Sequence, residues 1–399
     1  MANKQLFRRF AFGSMGLLML ILIFATLFEK FHSRSFAIEH IYHSPFFIIL
    51  WCLLAVSAII YIIDVSKRRT LFFTHISLII ILIGAFTSFL TSKHGEITLT
   101  KDYAPASMFT TAKGKLEKLP FRLELTQIDT CYIDGTTHHS DYKAHIIISD
   151  KANNRTSFTA SLNKPIRIKG YSFCIKEISD NSLSLITSYD PFGKPISNAG
   201  YLMTIISFIL LFIDKKSSFN SMLTATHKRI TYKSILVIAC TTVLVIYRIV
   251  TFSGNDAQPI LRTPLLGLHI SAIITAYALI GYTAINAIVA LCSKKKETKT
   301  RLAVLGRIIL YPATMLLITG IFIGAVWADV SWGRYWGWDP KEVWALLTLL
   351  VCSITFHTRS LPFISKPEIF HIYSIVIFII MLFTYFGVNY LLSGLHSYA

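Results

Sequence analysis

The sequence predicts an all-α polytopic membrane protein of about nine transmembrane helices, carrying one small extracytoplasmic β-rich domain. Three observations predict it. Of the 399 residues, 53% are hydrophobic, and they gather in runs near the roughly 20 residues that a bilayer core requires. Basic residues gather on alternate connecting segments, the pattern of cytoplasmic loops. One connecting segment is long and polar, and carries short β-type runs instead of a helical stripe.

The apolar runs place spans at roughly 10–28, 46–63, 71–91, 198–213, 234–252, 266–291, 308–328, 343–357 and 370–392. Lys4, Arg8 and Arg9 precede the first span, and no small-residue cleavage site comes after it. It therefore reads as a retained anchor rather than a signal peptide.

The net charge of +18 would suit a polynucleotide, but its distribution points elsewhere. With the N-terminus in the cytoplasm, the inner segments hold 19 basic residues: Lys4, Arg8 and Arg9; Lys67, Arg68 and Arg69; Lys215, Lys216, Lys228, Arg229 and Lys233; Lys294, Lys295, Lys296, Lys299, Arg301 and Arg307; and Arg359 and Lys366. The short outer segments hold 5, namely Lys30, Arg34, Arg262, Arg334 and Lys341. That asymmetry is the positive-inside rule. It makes the lipid bilayer the partner and leaves no need for nucleic acid. An odd number of spans puts the C-terminus outside.

The segment at about 92–197 carries the runs FRLELTQI, AHIIIS, FTASL, IRIKGYSF and SLSLITSY, separated by turn pairs such as Asp134-Gly135 and Asn153-Asn154. These predict strands. With 14 basic and 11 acidic residues the segment is nearly balanced. Of six cysteines no two form C-x-x-C, which argues against a thioredoxin-type motif, a zinc site or covalent c-type haem on this chain. Cys131 and Cys174 fall on the outer side, where a disulfide is allowed; bonded and free states are both open.

Five of the six tryptophans lie within residues 327–344, in WADVSWGRYWGWDPKEVW: Trp327, Trp332, Trp336, Trp338 and Trp344. Gly333, Gly337 and Pro340 interrupt helical continuity there. An interfacial belt would spread its tryptophans over many helix ends. Their concentration instead predicts an aromatic platform on the outer surface, open to the outside and ending at Asp339, suited to a flat apolar ligand with polar edges.

Topology sorts the histidines by depth. His269 opens the sixth span and His396 lies just past the ninth, both on the side of the tryptophan loop. His75 lies about one turn inside the third span from the cytoplasm, and His357 ends the eighth. His371 is a rival for the inner position. Ionisable groups inside a span are costly and mark function, and two imidazoles from different helices can clamp one haem. From Asp339 to His357 is roughly 27 Å as helix, about the thickness of the hydrocarbon core. His32, His40, His43, His94, His138, His139, His145 and His227 read as solvated or structural. Arg248 could meet a propionate or snorkel to the interface.

WGRYWGWDPKEVWALLTLL, FHTR, GVNYLLSGLHSYA and TPLLGLHISAIITAYALIGY resemble the CcsA/ResC cytochrome c biogenesis proteins, the haem-handling group defined by a tryptophan-rich "WWD" loop. FFTHISLIIILIGAF, NKPIRIKGYSFCIKEIS and SYDPFGKPISNAGYLM resemble their partner CcsB/ResB, although the outer domain is shorter than is usual there. The chain thus resembles a fused CcsB–CcsA cytochrome c synthase of the system II pathway. The resemblance implies CcsB-like helices over 1–91, an extracytoplasmic domain over 92–197, a fourth helix with linker over 198–228, and a CcsA-like domain over 229–399. It implies that His269 and His396 ligate an outer haem, and that His75 and His357 ligate a transmembrane haem. The loop residues Trp327, Trp332, Gly333, Trp336, Gly337, Trp338, Asp339 and Trp344 would bind that outer haem, with Trp332, Trp336, Trp338 and Asp339 orienting it for reaction. Haem b, ferrous for ligation, would be both ligand and substrate. Apocytochrome c with its C-x-x-C-H motif and thiol-reducing membrane proteins would be partners, and the bacterial cytoplasmic membrane the location. The activity implied is a lyase-type holocytochrome c synthase. A haem transporter without ligation activity and a bis-histidine cytochrome b are the readings the paired histidines alone leave open.

Overall fold

A computed structural model describes residues 2–65, 69–132, 139–179, 181–226 and 263–392. Seven helices among them are long and apolar enough to cross a membrane, which makes the chain a multi-pass membrane protein. In chain order the helices are α1 (Ala2–Phe31), α2 (Pro45–Val65), α3 (Arg69–Thr91), α4 (Gly193–Ile213), α5 (Ser218–Thr226), α6 (Pro264–Cys292), α7 (Lys296–Trp332), α8 (Pro340–Ile354) and α9 (Pro367–Leu382). The fifth span expected from the sequence, 234–252, lies outside the described residues.

Two helices differ from expectation. α7 runs 37 residues, straight through Pro312, far beyond the apolar stretch 308–328, because its polar first turns continue the helix past the apolar stretch. α8 holds only 15 residues, about 22 Å, and so is shorter than the bilayer core. The chain around His357 continues as turns rather than helix: the His357 N–H bonds the Ile354 carbonyl at 3.1 Å.

In a bilayer, helices associate through close packing and polar contacts rather than through the hydrophobic effect. α3 and α4 obey this rule. A side chain at Gly84 would run into the Ser197 backbone, and one at Gly193 into Ser88. Between them the Thr204 hydroxyl donates to Ser77 Oγ at 2.9 Å, fully buried.

The polar segment folds as one antiparallel eight-stranded sheet, in the order β5-β4-β3-β2-β1-β8-β7-β6. The strands are β1 (Lys93–Thr100), β2 (Ala106–Thr111), β3 (Leu116–Tyr132), β4 (His139–Ser149), β5 (Arg155–Ser161), β6 (Ile166–Ile168), β7 (Tyr171–Ser179) and β8 (Ser182–Tyr189). The run SLSLITSY is β8 end to end. IRIKGYSF is a hairpin whose turn residues Lys169 and Gly170 both have positive φ, the two-residue turn that matches strand twist. One face builds a core from Phe109, Phe121, Phe173, Leu183 and Leu185.

The other face meets the membrane domain. Register pairs His94 with Ser188 and Glu96 with Ile186, and Ser188 with Ser172 and Ile186 with Cys174. These residues share a face because directly opposed strand residues point the same way. The face docks on the C-terminal end of α7. Arg167 Nη2 bonds Asp329 Oδ2 at 3.1 Å and Lys194 Nζ pairs with Asp329 Oδ1 at 2.5 Å. Cys174 Sγ lies 3.5 Å from the Val330 carbonyl. Cys174 and Cys131 are both free thiols, so the disulfide that the outer compartment allows does not form; Cys174 is spent on the junction.

Asp329 is 4% exposed at its side chain and Lys194 15%. Asp329→Ala is therefore expected to cost about 3–5 kcal/mol, the scale for leaving a buried charge unpaired. Arg167→Ala, removing a side chain 59% exposed, should cost less than about 1 kcal/mol. Thermal unfolding of the detergent-solubilised chain separates the two, and equal losses would exclude Lys194 as the principal partner.

Candidate functional site

The tryptophan loop begins where α7 stops. Gly333 caps the helix with φ 74°, its N–H bonding the Asp329 carbonyl at 3.0 Å. The loop ends at Asp339, the N-cap of α8, whose carboxylate accepts from the Lys341 N–H at 3.0 Å. The Glu342 side chain completes a capping box, accepting from the Gly337 and Asp339 N–H groups at 2.8 and 3.1 Å. Asp339 thus orders the loop by hydrogen bonding. From the other side, Arg34 Nη2 donates to the Gly337 carbonyl at 2.8 Å.

Trp338 sits in the left-handed region at φ 55°, a conformation that costs a bulky residue free energy and persists only when its surroundings impose it. Tyr42, from the first outer segment, stacks on its ring at 4.5 Å and 10°, and Phe47 meets it edge-on at 5.2 Å. Trp336 stands edge-on to Trp338 at 5.9 Å. Trp327 is buried, edge-on to Trp332 at 4.9 Å.

The expected single exposed platform is therefore corrected. The five rings divide into a Trp327–Trp332 pair, a Trp336–Trp338 pair, and Trp344. Trp344 is buried in the bundle, its indole N–H bonded to Thr26 Oγ1 at 3.1 Å and its ring packed on Phe383. The reason is helical phase: Trp344 falls in the second turn of α8, on the side facing α1 and the chain after α9. Trp327 is buried as well, and Trp332, Trp336 and Trp338 are half-buried rather than open.

The inner histidines come together. The rings of His75 and His357 are 6.2 Å apart at 86°. His75 Nδ1 lies 2.8 Å from the Leu71 carbonyl and His357 Nδ1 2.9 Å from the Ser353 carbonyl, each one turn back in the chain. A carbonyl only accepts, so each Nδ1 carries the proton and each Nε2 keeps its lone pair. Neither Nε2 has a hydrogen-bond partner among the described residues. Two imidazoles ligating one iron stand roughly 6 Å apart, centroid to centroid, which is the separation of this pair. Tyr61 lies against both rings. His371 is elsewhere, its Nε2 2.9 Å from the Lys299 carbonyl.

On the outer side, His269 Nδ1 lies 2.7 Å from the Gly320 carbonyl of α7, and the ring rests in the notch that Gly324 leaves. His396 lies outside the described residues, as do Arg248 and Arg262.

Several residues here carried no signal of their own in the sequence. Arg34 and Tyr42 come from the first outer segment, some 300 positions before the loop they hold. Lys194 donates to the Gly333 carbonyl at 3.4 Å, and Tyr335 to Asn198 Oδ1 at 2.9 Å. His94 stands on the docking face near Lys194 and Arg334. Its side chain keeps an exposed edge; desolvation of the rest, then those two cations, lowers its pKa to about 4. Glu342 was legible: three positions after Asp339, it is a capping-box signature.

A membrane scaffold with seven long apolar helices among the described residues, and a sheet clamped beside a tryptophan loop, defines the class. Residues 195–396 match the cytochrome c assembly protein family, and residues 64–194 match the ResB-like family. The chain belongs to the cytochrome c assembly family and joins to it a ResB-like segment in one polypeptide, the arrangement of a CcsB–CcsA fusion. It is 38% identical over 154 residues to Protein NrfI of Wolinella succinogenes, across 36% of this chain and 17% of that protein. It is 40% identical over 156 residues to the cytochrome c biogenesis protein CcsA of Chlamydomonas reinhardtii, across 36% of this chain and 43% of that one. With CcsA of Marchantia polymorpha it shares 52% over 85 residues, 21% and 26% of the two chains. The chain spans less than half the length of each of these relatives.

This geometry has two measurable consequences. Trp338→Gly should unfold at a higher temperature than Trp338→Ala, although glycine removes more atoms. The left-handed backbone costs alanine about 1 kcal/mol that glycine does not incur; the reverse order would mean the strain is absent. Secondly, the His94 pKa is lower folded than unfolded, so the unfolded chain binds more protons between about pH 6.5 and pH 4. Stability should therefore fall as pH drops through that window and level off above it. His94→Gln should flatten that part of the unfolding-temperature profile.

Proposed function

We propose that the chain carries haem from the cytoplasmic side of a bacterial cytoplasmic membrane to its outer face and attaches it covalently to apocytochrome c. The observation that carries this reading is the meeting of His75 and His357, ring to ring, with each Nδ1 already engaged. In this reading that pair ligates haem within the membrane. His269 and His396 ligate it at the outer side, beside Trp332, Trp336 and Trp338. The fold has nine spans, with N-terminus inside, C-terminus and loop outside, and segments 1–91, 92–197, 198–228 and 229–399.

Haem supplies two vinyl groups and an iron that must be ferrous. Apocytochrome c supplies two thiols and a histidine in C-x-x-C-H, and thiol-reducing membrane proteins keep those thiols reduced. Each S–H adds across a vinyl C=C. The sulfur bonds one carbon and the proton goes to the other, so no electrons are gained or lost overall. The incoming histidine replaces one protein ligand on iron. What the chain contributes is position: imidazoles fixed by backbone carbonyls and a loop fixed by Arg34, Asp339 and Glu342. Holding reactants in a reactive pose is a large source of rate in such additions. Membership of the assembly family supports the general role.

The test is expression in a bacterium stripped of its own cytochrome c maturation genes and supplied with an apocytochrome. Haem that stays on the cytochrome through a denaturing gel is the expected result. Haem bound to the chain but never made covalent, even with added reductant, would leave a transporter and overturn the synthase reading. For the ligands, His75→Gly or His357→Gly should weaken haem binding at least about tenfold, given that even outer-shell groups contribute that much at metal sites. Soret titration of the purified chain measures this, and unchanged titrations in both variants would sink the assignment.

A further inference from the structure

We propose that Glu29, with the Tyr42 hydroxyl and ordered water, forms a buried proton relay that serves thioether formation at the tryptophan loop. The proposal rests on the synthase reading and adds to it the group through which its protons move.

Glu29 is the only acidic residue of α1, and it stands on that helix's buried stripe. Leu18, Leu22, Ala25 and Glu29 recur at helical spacing, and all four are buried. The next residue, Lys30, is exposed. The helix thus turns a carboxyl group toward the protein near the end of an apolar span. An ionisable group so placed is costly and marks function.

The other carboxyl groups around the loop have partners. Asp329 meets Arg167 and Lys194, Glu342 accepts from two backbone N–H groups, and Asp339 caps α8. Glu29 differs. Among the described residues it forms neither a hydrogen bond nor an ion pair, and its Oε2 is buried without a partner. Two donors are in the same condition, the Tyr42 hydroxyl and Arg34 Nε. Both residues touch the loop: Arg34 Nη2 holds the Gly337 carbonyl, and Tyr42 stacks on Trp338. Glu29, Arg34, Glu342 and Asp339 are the charges that act on the Tyr42 hydroxyl. Burial, then Glu29, raises the Tyr42 pKa, so the phenol keeps its proton and remains a donor.

Buried polar atoms are nearly always hydrogen-bonded, and an ordered buried water binds about three of them. A carboxyl oxygen, a phenol and a guanidinium N–H are such a set. Carboxyl groups, phenols and water chains pass protons to reacting groups, and thioether formation uses that traffic. As sulfur bonds one vinyl carbon, the other carbon takes a proton, which Glu29 supplies through water. The thiol proton then returns to the carboxylate. One C–S and one C–H bond form, one S–H bond and the vinyl π bond break, and no electron is gained or lost.

The experiment supplies the full-length, detergent-solubilised chain with ferrous haem, reductant and apocytochrome c, and follows the haem retained on the cytochrome after denaturation. Glu29→Gln keeps the size of the side chain but has no acidic proton to give. It should slow attachment about 100-fold, the lower end of general acid–base catalysis, while Soret titration shows haem affinity unchanged. The ratio of wild-type to Glu29→Gln rates should shrink as pH rises and the carboxyl group loses its proton. Tyr42→Phe, which removes only the hydroxyl, should slow attachment by a smaller factor and spare haem affinity. Wild-type rates in both variants, a rate ratio that does not change with pH, or parallel losses of rate and haem affinity would overturn the proposal and leave Glu29 as loop support. If Glu29→Gln does not fold, Tyr42→Phe decides, and an unchanged rate there overturns the relay. No attachment by the wild type would instead remove the synthase reading itself, and the proposal with it.

Discussion

The carboxylate of Asp329 joins three parts of the chain that are far apart in sequence. It stands near the end of the long helix α7, it is buried, and it is held by Arg167 of the sheet and by Lys194 at the start of α4. A buried carboxylate is costly unless its oxygens are met by cations or donors. This one is met only when the sheet sits on the end of the helix. The sheet's position in turn sets the start of the tryptophan loop. Gly333 packs against Ile186, Ser188 and Cys174, so the loop's first step is aimed by strand residues rather than by its own preferences.

The far end of the loop is fixed by a different part of the chain, the first outer segment. Arg34 holds the Gly337 carbonyl, and Tyr42 with Phe47 encloses the Trp338 ring. Trp338 keeps a left-handed backbone because these contacts and the Asp339 cap over-determine it. A loop of seven residues between two helices would otherwise have many conformations to lose. Here both of its ends, and one ring in its middle, are tied to residues before position 195. That gives a physical reason for the two halves of the chain to work as one unit: the assembly-family loop has its shape only while the part before position 195 is docked.

Much of this was legible in the sequence, and the remainder failed for identifiable reasons. Apolar runs revealed the long helices, since length and composition suffice for that. SLSLITSY read as a strand because its alternation is complete. β1 and β2 were missed: KHGEITLT opens with charge and glycine, and its strand character comes from pairing with β8 over its whole length. The aromatic composition of the loop pointed to a site, but not to its division into pairs, because which way Trp344 faces depends on where α8 begins. Contacts such as Arg34 to Gly337 span 303 positions and leave no local pattern. The capping box is the opposite case: Asp339 and Glu342 are three apart, and the spacing alone gives the chemistry.

The histidines share a device that, under the proposed function, bears on movement of a ligand between two depths. At His75 and His357 the ring is tied through Nδ1 to a carbonyl one turn back in the chain; at His269 it is tied to the neighbouring helix. A hydrogen bond to the main chain fixes tautomer and ring orientation together, and it does so without a carboxylate. A carboxylate beside the ring would add a negative charge in the membrane, which is expensive, and would strengthen the bond to a metal. A carbonyl orients the imidazole and leaves it a weaker ligand. If the chain passes haem on as proposed, weaker ligands held in a fixed pose are the better arrangement. Affinity low enough for transfer is then compatible with a geometry that needs no rearrangement when the ligand leaves.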